Sequence, residues 1–252
     1  MNTFFFMTLT YLKRLTRDLK ETSLLIIIPL GLIIINSLLS DGTMALEGYN
    51  VASSFNMPAF VLSFQFFNMG IMLHILFKDF KGDMRWRLRA APHTLRTFIV
   101  PAFVASWIFS IFTAIVNIVI SALFLGAYLG NILVFAAVLL LISLMATFLA
   151  MLIFLFTKKF AGANGVVYIV SFGLMIASGF MVPLGDSRLV ELLISHTPMT
   201  LGMRAIINSG SLSVFPPWGA GMERSIINIG ILGAMTAAIA IITLIAAGRR
   251  KI

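Results

Sequence analysis

Cysteine is absent from all 252 residues, which excludes a disulfide framework, a thiol nucleophile and a cysteine-based metal site. Charge is scarce: 11% of residues are charged, against about a quarter in an ordinary soluble domain. The chain has no GxxxxGK[ST] phosphate loop, so it does not bind ATP by that route. Nor do its apolar segments hold a carboxylate pair, an HExxH zinc signature or a GxSxG elbow, leaving no visible carrier for enzymatic chemistry. His93 and His196 fall on opposite expected sides of the membrane and cannot share a site.

What fills the chain is apolar sequence. Hydrophobic residues make up 60% and mean hydropathy is +1.05, the composition of a membrane protein. A spanning helix needs roughly 20 mostly apolar residues, and six such segments consume most of the length. They run over about 23–40, 58–77, 97–125, 132–156, 161–182 and 226–247, spans one to six, leaving no room for a separate soluble domain. The first carries Pro29 and Gly31, which membrane helices tolerate. Before it, residues 2–22 place Phe5, Leu9, Leu12, Leu15 and Leu19 at three- and four-residue spacing with the charges mostly on other faces, predicting a helix lying in the membrane interface. The first long apolar run begins near Leu24 with no A-x-A site after it, so this segment reads as retained rather than as a cleaved signal peptide.

Polar breaks set the topology. The loop 41–57 holds Asp41 and Glu47 and no basic residue, whereas Lys and Arg gather in the N-terminal segment, in 78–96, at Lys158 and Lys159 and at the C-terminus. Only Arg188, Arg204 and Arg224 of the 18 basic residues lie elsewhere. By the positive-inside rule both termini and the 78–96 stretch are cytoplasmic. The net charge of +9 is then largely topological and weak support for an anionic partner. Residues 183–225 form the longest non-spanning region, with amphipathic pieces near 190–194 and 199–207 that read as external or re-entrant half-helices. No internal repeat is visible, and one domain over 1–252 is the economical division.

Of Asp, Glu, Lys and His, the spans hold only His74, near the inner end of span two, where a packing role outweighs a proton relay. Span three carries a polar stripe: Ser106, Ser110, Thr113, Asn117 and Ser121 recur at three- and four-residue spacing on one face. Such a stripe either packs against neighbouring helices or lines a translocation path; Gln65 and Asn68 of span two pose the same choice. Gly230, Ala234 and Ala238 form a small-xxx-small face, a packing seam and a candidate subunit contact.

The stretch KDFKGDMRWRLRAAPHTLR (78–96) predicts a short amphipathic helix, with Asp79 or Asp83 near the positive end of its dipole and Pro92 as its stop. With six spans, it resembles the permease subunit of type-2 ABC exporters. In that family the loop between the second and third spans carries an acidic residue, a glycine and an [RK]-L-x-x-x-P ending, and docks on the ATPase subunit as a coupling helix. SGFMVP (178–183) and TPMTLGMR (197–204) are similar to the family's elements around a re-entrant hairpin before the last span. The resemblance implies that Asp79, Gly82, Asp83, Arg85, Leu88, Arg89 and Pro92 form the coupling site and that Gly179, Pro183, Pro198 and Arg204 belong to the hairpin. One departure is that Asp83 stands where the family glycine is usual, nine residues before the proline, with Gly82 one place earlier. The implied fold is all-α, with six transmembrane helices, an interfacial N-terminal helix and the re-entrant hairpin. The implied partners are ABC ATPase subunits, which would bind the ATP and magnesium, together with a second or sister permease and the bilayer. Expected cargoes are a drug, an antimicrobial peptide or a lipid-linked molecule, with lipid-linked polysaccharide export or a non-transporting sensor or scaffold as rivals.

Overall fold

The computed structural model describes residues 3–17, 19–39, 45–46, 49–82, 86, 96–178, 194–210 and 221–249. Helix α1 (Thr3–Arg17) is followed by α2 (Leu19–Leu39), then by a two-residue antiparallel ladder, β1 (Ala45–Leu46) with β2 (Tyr49–Asn50), pairing Ala45 with Asn50 and Leu46 with Tyr49. This ladder is the one departure from an all-helical chain among the described residues. Helices α3 (Val51–Phe67) and α4 (Met69–Leu76) form one rod broken at Asn68, and its last turn, Phe77–Lys81, is a π-helix. Then come α5 (Arg96–Leu125), α6 (Ile132–Phe156), α7 (Phe160–Ala177), the short α8 (Pro198–Ser209) and α9 (Gly221–Arg249).

Among the described residues, five helices are long and apolar enough to cross a membrane: Ser53–Lys81, Thr97–Leu125, Ile132–Phe156, Phe160–Ala177 and Gly221–Gly248. Of the first expected span, the structure describes an apolar helical stretch, Leu25–Leu39, inside α2. Span two is longer than its expected bounds at both ends, starting in the supposed outer loop and finishing at Lys81. Its polar start is stabilised by tertiary bonds: the Ser37 and Ser53 hydroxyls are hydrogen-bonded, and the Tyr128 amide donates to Ser54 Oγ at 2.8 Å. Helix α9 likewise begins five residues earlier than expected. The α5–α6 corner needs its glycines, since Gly126 and Gly130 sit at φ 61° and 63°, the left-handed region that costs other residues. Asn131 then caps α6, accepting from the amides of Leu133 and Val134.

The core is the α3–α4 rod, wrapped by α5, α6, α7 and α8. Phe66, Met69, Met72, Leu73 and Leu76 are all fully buried there. Helix α1 packs along α5 through Thr8, Tyr11 and Leu15, while Phe5 and Leu9 of the expected apolar stripe stay exposed alongside Phe4 and Phe6. Helix α8 spans only about 18 Å by its 12 residues. It is buried against α9, α6 and α3, and Thr197 caps it ahead of Pro198 at its first position. Its Gly202 lies where a Cβ would meet Val138 Cγ1 at 2.8 Å and Ile142 Cδ1 at 3.0 Å. A side chain there would push the helices apart.

Candidate functional site

Two polar assemblies stand out in this apolar bundle. The first ties together the end of the rod at Lys81. Arg14 of α1 donates through Nη1 to both carboxylate oxygens of Asp79, at 2.8 and 3.0 Å. The Tyr11 hydroxyl lies near the same carboxylate, and burial together with the neighbouring Asp79 charge pushes that hydroxyl well above its ordinary pKa. Asp79 is 8% exposed at its side chain and Arg14 35%, so the pair is half withdrawn from solvent. This is the only salt bridge among the described residues. Asp79 therefore sits inside the π turn, paired with the N-terminal helix. The other expected capping carboxylate, Asp83, lies outside the described residues.

On the other side of the turn, Lys81 Nζ donates to the Phe154 carbonyl at 2.9 Å and to the Thr157 carbonyl. These are orphan acceptors at the C-terminus of α6, the negative end of its dipole. The same ammonium lies over the Phe77 and Phe154 rings, 4.6 and 4.4 Å from their centroids. The end of the rod is thus held by a carboxylate to α1 and by an ammonium to α6. Gly82 closes the turn. A Cβ there would come within 2.6 Å of the Lys78 carbonyl oxygen, a contact real side chains do not make, so the position requires glycine. Of the remaining expected coupling residues, Asp83, Arg85, Leu88, Arg89 and Pro92 lie outside the described residues; Trp86 is helical and 68% exposed.

The second assembly is the polar stripe of α5. Ser106, Ser110, Thr113, Asn117 and Ser121 are all buried within this single chain, as are Gln65 and Asn68. They face one another across the rod. Asn68 Nδ2 donates to Ser110 Oγ at 3.0 Å and to Thr113 Oγ1 at 3.3 Å, and Ser110 Oγ donates to Gln65 Oε1 at 2.6 Å. Asn117 donates to the Thr113 carbonyl at 2.9 Å and reaches the Leu25 carbonyl of α2 at 3.4 Å. The stripe therefore seals α5 onto the rod and α2, and the break in the rod falls at Asn68, the residue that makes the contact. Asn68 Oδ1, Ser106 Oγ, Asn117 Oδ1 and Ser121 Oγ are buried with no hydrogen-bond partner, so the seam carries unused capacity for polar groups.

Cationic side chains converge at one end of the bundle. Arg14, Lys78, Asp79, Lys81, Lys158 and Lys159 come together at one end through the contacts above and a shared cavity. At the other end, where Glu223 and Arg224 open α9, a small cavity is lined by Ser54, Tyr128, Gly130 and Gly210. The ABC-2 type transporter family model matches residues 3–209. The chain belongs to the ABC-2 type transporter family. It is a multi-pass membrane protein and a permease component, of a kind that generally works with ABC ATPases. No curated protein matches this permease.

Several expected site residues are not brought together. Pro198 and Arg204 lie in α8, Pro198 buried and Arg204 half-buried, while Gly179 and Pro183 lie outside the described residues. Gly230, Ala234 and Ala238 do not form a seam within the permease: all three are exposed on α9, which packs instead through Ser225, Leu232, Thr236 and Thr243. Thr236 and Thr243 reach the Leu141 and Phe148 carbonyls of α6 at 3.5 and 3.3 Å. Sequence reasoning missed the Arg14–Asp79 pair and the Lys81 clamp. Asp79 is one of only nine acidic residues, and that rarity beside a span was the one available signal.

Proposed function

We propose that this permease is the membrane half of an ATP-driven exporter in a cytoplasmic membrane, with six spans, α2 supplying the first. Both termini and the cationic end of the bundle face the cytoplasm, α1 lies in the interface, and the chain around α8 forms a re-entrant outer hairpin. Separate ABC ATPase subunits bind ATP and magnesium and dock on the 78–96 segment. Two copies, or this chain and a sister permease, form the pathway, and the open Gly230, Ala234 and Ala238 face of α9 is available for such a contact. The cargo is amphiphilic: a drug, an antimicrobial peptide or a lipid-linked molecule.

The observation that carries this reading is the double clamp on the π turn. A segment tied at one side to α1 by Asp79 and at the other to α6 by Lys81 delivers a push on its far end to several helices together. The ATPase, having no counterpart in this chain, supplies that push. Co-purification of the permease with a Walker-motif ATPase subunit from its native membrane tests the assignment. Leu88→Asp combined with Arg89→Asp should release the ATPase and abolish substrate-stimulated ATP hydrolysis. An intact complex with unchanged stimulation would refute the coupling site.

A further inference from the structure

A cavity of about 490 Å³ opens where the π turn meets the α6–α7 corner, within the range of roughly 300–1,000 Å³ typical of ligand sites. Two segments far apart in sequence converge there, contributing Lys78 and Lys81 from one, Lys158 and Lys159 from the other, with Phe77 and Phe160 as apolar walls. Lys81 is engaged with the α6 carbonyls, but Lys78, Lys158 and Lys159 are exposed and pair with no carboxylate among the described residues. Asp79, the acidic residue within the turn, is turned away to Arg14. His74 also lines the cavity, its ring edge-on to Phe160 at 5.6 Å. Helix α7 starts at the rim without a side-chain cap, so the positive end of its dipole adds to the field.

Marking topology requires lysines at this end of the bundle but does not require them to converge on one cavity, where they repel one another. An anion relieves that repulsion. Its surroundings say which anion: Phe160 is 37% exposed and Phe156, at the same corner, 62%, so an apolar surface continues from the cationic site along the helices. We propose that this cavity binds the phosphodiester headgroup of an anionic phospholipid, with Lys78, Lys158 and Lys159 around the phosphate and Phe156 and Phe160 beside the acyl chains. Placing the lipid in the cytoplasmic leaflet rests on the orientation proposed above; the binding itself does not.

The test uses the full-length chain in an uncharged detergent, titrated with dioleoyl phosphatidylglycerol or dioleoyl phosphatidylcholine, with bound lipid counted by native mass spectrometry. Each lysine near an anionic headgroup is worth roughly fivefold. Wild-type protein should therefore prefer phosphatidylglycerol by about a hundredfold, and Lys158→Gln with Lys159→Gln should lower that preference roughly twenty-five-fold. Lys78→Gln, at an exposed position on the other segment, should lower it roughly fivefold. Lys13→Gln with Arg17→Gln removes two exposed charges from α1 and should leave the ratio unchanged. An equal fall in that control, or no preference in the wild type, overturns the site. Complete displacement of the lipid by excess inorganic phosphate also overturns it, by making free phosphate the occupant. Orientation is read separately, because the chain lacks cysteine: Lys158→Cys should react with an impermeant maleimide only after cells are opened. Labelling of intact cells would sink the proposed topology while the lipid measurements stand.

Discussion

The rod at Ser53–Lys81 and the last helix at Gly221–Gly248 are both spanning segments, yet the first is 83% buried inside the chain and the second 17%. The more buried helix is the less apolar one, with a hydropathy of 1.7 against 2.4. In water that order would be perverse. In a bilayer the lipid is as apolar as leucine, so burial gains little from hydrophobicity and is selected instead by packing and hydrogen bonds. The rod is interior because it carries Gln65, Asn68 and Asp79, which need protein partners, and the last helix is peripheral because its exposed face needs none.

That contrast can be broken by placing comparable substitutions in the two settings. Ser110→Leu overfills a packed contact and strips Gln65 and Asn68 of their partner, so it should cost about 2–4 kcal/mol. Thermal aggregation in detergent, followed by size exclusion, should show a clear loss of folded protein. Asp79→Asn removes the charge from a partly exposed pair and should cost about 1–3 kcal/mol. A double-mutant cycle with Arg14→Gln should recover a coupling energy, and near-additivity would mean that α1 is held by packing alone. Gly82→Ala forces the π turn to reopen at about 1–2 kcal/mol. Its signature should be weakened ATPase stimulation in membrane-inserted protein, since the change lies beyond the last buried residue of the rod. Ala234→Leu on the exposed face of α9 should stay within about 0.5 kcal/mol for the single chain. If it nevertheless lowers the dimer fraction, that face is the subunit contact; an unchanged dimer fraction would remove it from the proposed interface.

Hydropathy made α5, α6 and most of α9 legible, because uninterrupted apolar runs have no other stable form in lipid. It misjudged the start of α3, since VASSFN looks like loop until Ser37 and Tyr128 are seen to satisfy its serines. The polar stripe was legible as a stripe, because three- and four-residue spacing is a local property. Its direction was not, because whether it met water or the rod depended on residues 42 and 45 positions away. The partner of Asp79 was hidden for the same reason. Nearby sequence suggested a helix start, whereas its partner, Arg14, is 65 residues distant.

A π turn closes its hydrogen bonds one residue later than an α turn, so Phe77–Lys81 holds an extra residue in the backbone ladder. Lost or gained, that residue would rotate everything after it by about 100° around the helix axis. Asp79 and Lys81, two residues apart and so on opposite faces of that turn, reach α1 and α6 from it.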